Sequence, residues 1–219
     1  MGLIEMADLP HFLVIPQSFP APGDKISEPG KSISRLRKEK GWTLAEVSKK
    51  TGVAISTLSK IENNKSSPTY EVLVRLAEGL GLDFVELLDG GSVRFASGIR
   101  TINRAGQGVN YTTSLGEYEA LSTELAYKAL QPMIVRIPFD GGSQPRLFSK
   151  HSGEEFVYVL EGEIEFFMDR YAATRLNVGD SVHFDANMTH SFLALGGRDA
   201  IILVVCFANK SRSGEQGSP

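Results

Sequence analysis

The chain has 219 residues, 42% of them hydrophobic and 22% charged, and a net charge of −3. It is long enough for one large domain or two small ones and can bury a core without staples. Its single cysteine, Cys206, excludes an internal disulfide, and no apolar run approaches the roughly 20 residues of a membrane helix. The start holds Glu5 and Asp8 but no basic residue, which argues against a signal peptide. These features predict a cytoplasmic protein with no membrane contact. Cys206 lies in the apolar run Ile201 to Phe207 and reads as a buried, inert thiol.

Residues 1–30 carry Pro10, Pro16, Pro20, Pro22 and Pro29 and read as a flexible arm. The apolar patch from Phe12 to Ile15 is expected to pack on a barrel edge or a partner subunit. Residues 31–70 then hold nine Lys or Arg against three Glu, a net +6, which leaves −9 for the rest of the chain. A basic module on an acidic body points to a polyanionic partner for one part only.

Residues 31–89 read as five helices. Ile33, Leu36 and Arg37 open the first, and Gly41 stops it. Thr43 with Glu46 three residues on makes a capping box for the second, which Gly52 ends. The third spans about Ile55 to Asn63, with Leu58 and Ile61 inward. Val72, Leu73, Leu76 and Leu80 mark the fourth, ended by Gly79 or Gly81. Phe84, Leu87 and Leu88 mark the fifth. Residues 90–92 are the expected linker. From 93 to 208, short β-rich runs alternate with turn signals: 132–137, 156–160, 163–168, 180–184 and 201–207. That spacing predicts an all-β sandwich or barrel. Residues 209–219 read as a disordered tail.

The segment ISRLRKEKGWTLAEVSKKTGVAISTLSKIENNKSSPTYEVLVRLAEGLGLDFVELL, from Ile33 to Leu88, resembles the XRE-type, or phage-repressor-like, helix-turn-helix family. Its landmarks are Leu36-Arg37, Thr43, Gly52, Leu58, Ile61-Glu62, Pro68, Leu73, Ala77, Leu80-Gly81 and Leu87. The resemblance implies double-stranded DNA as a partner, with the second helix of the motif in the major groove. By it, Ala54, Ile55, Ser56, Ser59 and Lys60 occupy base-reading positions. Thr43, Thr57, Asn63, Lys65 and Ser66 occupy phosphate-gripping ones. Leu44 stands where the family often carries Gln. A homodimer is implied by the family and by operator symmetry.

Two further stretches, KHSGEEFVYVLEGEIEF and GDSVHFDANMTHSF, resemble the two motifs of small cupins. In the first, His151 and Glu155 are four apart with Gly162 beyond; in the second, Gly179 precedes His190. The resemblance implies a metal held by His151, Glu155 and His190. Ser149, Asp185, Asn187 and Ala194 depart from the family pattern, so the set is two His and one carboxylate. That set suits a divalent transition metal such as Fe, Mn, Ni or Zn. Arg136, Gln144, Ser149 and Tyr158 are candidate pocket residues for a small-molecule effector, and Arg136 and Arg146 are candidates to hold a carboxylate or phosphate. His11 and His183 lack ligand-spaced partners and read as surface or satisfied histidines.

The expected fold is therefore an α+β multidomain chain: an all-α helix-turn-helix domain followed by an all-β cupin (double-stranded β-helix, jelly-roll) barrel. The expected function is a DNA-binding transcription regulator whose barrel senses a ligand. The pattern of His151, Glu155 and His190 also resembles the hydroxypropylphosphonate epoxidase family, which implies mononuclear non-heme iron oxygenase chemistry as the alternative.

Overall fold

The computed structural model describes residues 27–89, 100–125, 128–142 and 146–207. Most of the proline-rich arm, His11, the expected linker, Gln144 and the C-terminal tail lie outside the described residues.

Among the described residues, five helices come first. α1 (Pro29–Glu39) begins with proline, whose missing N–H costs nothing in a first turn. α2 (Leu44–Thr51) starts on the expected capping box: the Thr43 amide donates to the Glu46 carboxylate at 2.6 Å, and the Glu46 amide donates to Thr43 Oγ1 at 3.2 Å. Gly52 ends α2 in a left-handed conformation, φ 68°, that a side chain would strain. α3 (Ile55–Glu62) follows after three residues, Gly52 to Ala54. α4 (Tyr70–Leu80) is capped by Thr69 and ends at Gly81, and α5 is Phe84–Asp89. Gly79 does not stop α4. It lies inside the helix, where an added Cβ would come within 2.7 Å of the Lys50 carbonyl oxygen, so its role is the close approach of α2 and α4.

Val47, Leu58, Ile61, Leu73, Leu76 and Leu87 make the helical core. Arg37 on α1 ties it to α3: its Nε and one terminal nitrogen donate to the two Glu62 carboxylate oxygens at 2.6 and 2.8 Å, and its other nitrogen donates to the Trp42 carbonyl at 2.8 Å. Burial works against the Glu62 charge, but hydrogen bonds from Arg37 and Ser34 outweigh it and hold the carboxyl below its usual range.

Among the described residues, nine strands form two antiparallel sheets. The larger has the order β1-β2-β3-β9-β4-β7 and the smaller β6-β5-β8. The strands are β1 (Val109–Thr112), β2 (Glu117–Ala120), β3 (Leu130–Ile137), β4 (Glu154–Glu161), β5 (Glu163–Met168), β6 (Thr174–Asn177), β7 (Ser181–Asp185), β8 (His190–Ala194) and β9 (Ala200–Phe207). Met133, Val135, Val157, Val159, Phe166, Phe184, Phe192, Ile202 and Val204 fill the space between the sheets. Alternation along each strand decides what faces inward. On β3 and β4 it turns Arg136 and Tyr158 to the outer face, opposite to the pocket expectation, because Val135, Ile137, Val157 and Val159 take the inner positions. Arg136 approaches Glu117 instead, at 4.0 Å. Arg146 is likewise taken up outside, by Glu165.

The helical domain sits on the barrel mouth. Tyr70, the first residue of α4, is buried between the two, with its ring 5.2 Å from Phe84 and 5.0 Å from His151. Phe84 meets Tyr111 at 6.3 Å, and Tyr111 stacks on Tyr118 at 5.0 Å. The Ser27 amide donates to the Asn110 carbonyl at 2.6 Å, and the Ser152 hydroxyl to Glu78 at 2.6 Å.

Glu62→Gln leaves Arg37 without its carboxylate. We expect a loss of about 2 kcal/mol in urea melts at neutral pH, below the ~3–5 kcal/mol of a fully buried pair because the rim of this one meets water. Glu62 is held low in the folded state, so its contribution is present above the ordinary carboxylate pKa and disappears as pH falls through the lowered value. The two proteins should therefore converge in stability in acid.

Candidate functional site

Two places carry chemistry-bearing residues. The first is the outer face of α3. Leu58 and Ile61 anchor the helix, which leaves Ala54, Ser56 and Lys60 exposed and Thr57 and Ser59 half-buried. Ile55 stays 49% exposed at the tip, an apolar group open to a thymine methyl. Ala54 has no side-chain acceptor, so nothing caps the first-turn amides of α3 from that position. Asn63, Lys65 and Ser66 are exposed in the loop from α3 to α4, and Thr43 is exposed at the head of α2. Of the ten residues expected to touch DNA, eight are thus exposed and two, Thr57 and Ser59, half-buried. Leu44 is half-buried and packs against the core.

The second place is inside the barrel. His151 follows a short bridge between Ser149 and His190, Glu155 is the second residue of β4 and His190 the first of β8. All three are buried. His151 Nε2 lies 3.0 Å and His190 Nε2 3.7 Å from Glu155 Oε2. The other ring nitrogens face backbone carbonyls: Nδ1 of His190 lies 2.8 Å from the Met188 oxygen, and Nδ1 of His151 3.3 Å from that of Ser152. A carbonyl accepts only from N–H, so both rings carry a proton on Nδ1. His190 thereby turns a bare Nε2 to the cluster, whereas His151 has an acceptor at Nε2 as well, the Glu155 carboxylate, and suits the doubly protonated ring, whose Nε2 proton a metal would displace.

Burial disfavours the charged form of both rings. For His151 the hydrogen bond and charge of Glu155 outweigh burial and raise its pKa above the ordinary value. For His190 burial wins and lowers it. Phe184 packs against His190 at 4.8 Å, and the two imidazoles meet edge-on at 5.3 Å. Cys206 adds a fourth donor, its Sγ 3.6 Å from Glu155 Oε2.

Donors bonded to one tetrahedral ion at ~2.0–2.3 Å lie about 3.3–3.8 Å apart. The 3.6 and 3.7 Å separations around Glu155 fall within that spacing, and the 3.0 Å contact with His151 is shorter, so an ion seated between those two would part them by a few tenths of an ångström. The cavity beside them holds about 70 Å³ and is lined by Tyr70, Ser149, His151, Glu155, His190 and Cys206 among others. That is room for a handful of waters or an ion with small ligands. Ser149 thus faces the cavity as expected. His183 lies outside, exposed and 3.2 Å from Glu154.

A helix-turn-helix family model matches residues 33–87, and a cupin-domain model matches 134–206. The chain belongs to the XRE-type helix-turn-helix family and carries a cupin domain. It is 28% identical to the HTH-type transcriptional regulator SutR of Escherichia coli over 162 residues, 74% of this chain and 84% of that one. It is 41% identical to the uncharacterized HTH-type transcriptional regulator y4dJ of Sinorhizobium fredii over 59 residues, 27% of this chain and 77% of that one. An HTH_3 family transcriptional regulator of Vibrio cholerae shares the fold, with a TM-score of 0.53 at 21% identity over 83% of this chain and 95% of that one. Hydroxypropylphosphonic acid epoxidase of S. wedmorenis aligns with a TM-score of 0.45 at 23% identity, over 83% of this chain and 97% of that one.

Two members of the barrel cluster escape sequence reasoning. Tyr70 belongs to the helical domain, and no local pattern places it against the barrel. Cys206 reads as a core thiol, and only the pairing of β9 with β4 sets it opposite Glu155.

In metal-free protein, His151 should protonate at a higher pH than His190, read from imidazole resonances in an NMR titration. Glu155→Gln should bring the His151 value down. A raised folded pKa gives stability that is full below the ordinary histidine value and lost as pH rises through the raised one. Removing the Glu155 charge should therefore cost His151 its stabilising contribution below that ordinary value.

Proposed function

We propose that this chain is a sequence-specific transcription regulator in which an occupant of the barrel cavity, a divalent transition metal or a small effector, alters DNA binding through Tyr70. The reading of DNA rests on the exposed face of α3 and the positive charge of residues 31–70. Ser56, Ser59 and Lys60 hydrogen-bond base edges, Ile55 covers a thymine methyl, and Thr43, Thr57, Asn63, Lys65 and Ser66 grip phosphates. A homodimer would bind half-sites about 34 Å apart. His151, Glu155 and His190 would hold the metal, which would supply a fixed positive charge among them.

The observation that carries the coupling is the position of Tyr70. It lines the cavity and also begins α4, directly after the loop that holds Lys65 and Ser66. An occupant that needs Tyr70 in one place therefore favours one placement of that loop, and the coupling equals its differential affinity for the two placements. The exposed polar face of α3 and the positive charge of residues 31–70 favour this reading over iron-dependent oxygenation, which has no use for them.

The test begins with DNA selected from a random pool by the purified full-length chain; no enriched sequence would sink the proposal. On the selected site, Ser59→Ala should weaken binding about 10-fold and relax specificity at one position, while Lys65→Ala should weaken all sequences alike and reduce the salt slope by about one. Elemental analysis should find about one metal per chain, lost in a His151→Ala/His190→Ala variant. Tyr70→Ala should still bind the selected DNA, but with an affinity that no longer changes on metal loading, where the native chain changes about 5-fold or more.

A further inference from the structure

We propose that Cys206 is a fourth metal ligand, so that the barrel offers a site of two imidazoles, one carboxylate and one thiolate. The inference rests on the barrel cluster holding a metal at all, and goes beyond it in naming the sulfur and the class of ion.

Backbone pairing places the sulfur. Glu155 on β4 and Cys206 on β9 are direct partners in the antiparallel register, and both are buried on the inner face. Directly opposed residues have Cβ atoms about 4.5–5.5 Å apart, so the two side chains share one point inside the barrel. There the donor atoms of His151, Glu155 and Cys206 all lie within 4.8 Å of one another. The same Oε2 of Glu155 faces His151 at 3.0 Å, Cys206 at 3.6 Å and His190 at 3.7 Å. Ser149 also lines the cavity, but a hydroxyl is a poor ligand for a divalent transition metal, and a thiolate is a good one.

Charge argues the same way. Glu155 is the only acidic residue among those described as lining the cavity. A dication held by two neutral imidazoles and that carboxylate keeps a net +1 in a closed space. A thiolate brings the site to zero, which a poorly solvated cavity favours. On ligation the S–H bond breaks, its proton leaves to solvent, and a sulfur–metal bond forms with no change of oxidation state. Tyr70 lines the same cavity as the sulfur. A soft ligand in the set favours Zn, Co or Fe(II) over Mn(II) or Mg.

The full-length chain contains only one cysteine, so any thiolate–metal signal reports Cys206 without a variant. Co(II) is titrated into metal-free protein under anaerobic conditions with a non-thiol reductant. The expected result is one Co(II) per chain with the intense near-ultraviolet absorption of a thiolate–Co(II) bond, absent in His151→Ala. Cys206→Ser, checked for folding by circular dichroism, should lose that absorption and bind Co(II) at least about 10-fold more weakly, the lower bound for losing even an outer partner. Stoichiometric Co(II) binding without the absorption would overturn the ligand assignment and leave the three-residue metal site standing. No binding of Co(II) by the native chain would overturn both.

Discussion

Tyr70 is the residue on which the two halves of the molecule agree. It is the first residue of a helix in one domain and part of a cavity wall in the other. Its ring closes a run of aromatic contacts from Tyr118 through Tyr111 and Phe84 to His151. Rings in edge-on and tilted contact resist sliding because each is held by its neighbours in a close-packed interior. The helical domain is therefore fixed on the barrel by the same side chains that border the donor cluster. Thr69 fixes the start of α4 by accepting from the Val72 amide at 3.3 Å, and so sets where Tyr70 enters.

The donor cluster depends on restraints that are mostly backbone. Strand pairing places Glu155 opposite Cys206 and also opposite Phe184 of β7. Two carbonyls, of Ser152 and Met188, fix which nitrogen each histidine turns inward. The side chains add a layer of apolar support, with Phe184 against His190 and Tyr70 against His151. A cluster held this way needs little rearrangement to accept an ion, so little of the binding free energy is lost to ordering side chains.

Much of this was legible in the sequence, and the part that was not has physical reasons. The helices announced themselves through the Thr43–Glu46 capping box, the left-handed stop at Gly52 and the spacing of Leu58, Ile61, Leu73 and Leu76. Short β-rich runs bounded by turn signals marked β3, β4, β5, β7 and β9. Four strands carried no such signal: β1, β2 and β6 are four residues long and rich in polar side chains, and β8 begins with His190. His151, Glu155 and His190 were readable from motif spacing. Arg136 and Tyr158 were not, because one residue of strand parity separates cavity from solvent. Cys206 and Tyr70 join the cluster through a strand register and a domain contact, and neither leaves a mark in local sequence.

The size of the cavity sets a limit on what can occupy it unaided. The best small ligands gain about 1.5 kcal/mol per non-hydrogen atom. A molecule of about five such atoms tops out near ~7 kcal/mol, or a dissociation constant of roughly 10 μM, a ceiling that metal–ligand bonds escape. An organic occupant that binds more tightly needs more atoms, and one too large for the space beside Tyr70 must move that wall. Its measured affinity would then understate its contact energy by the work of that displacement, which is the part transmitted to the helices.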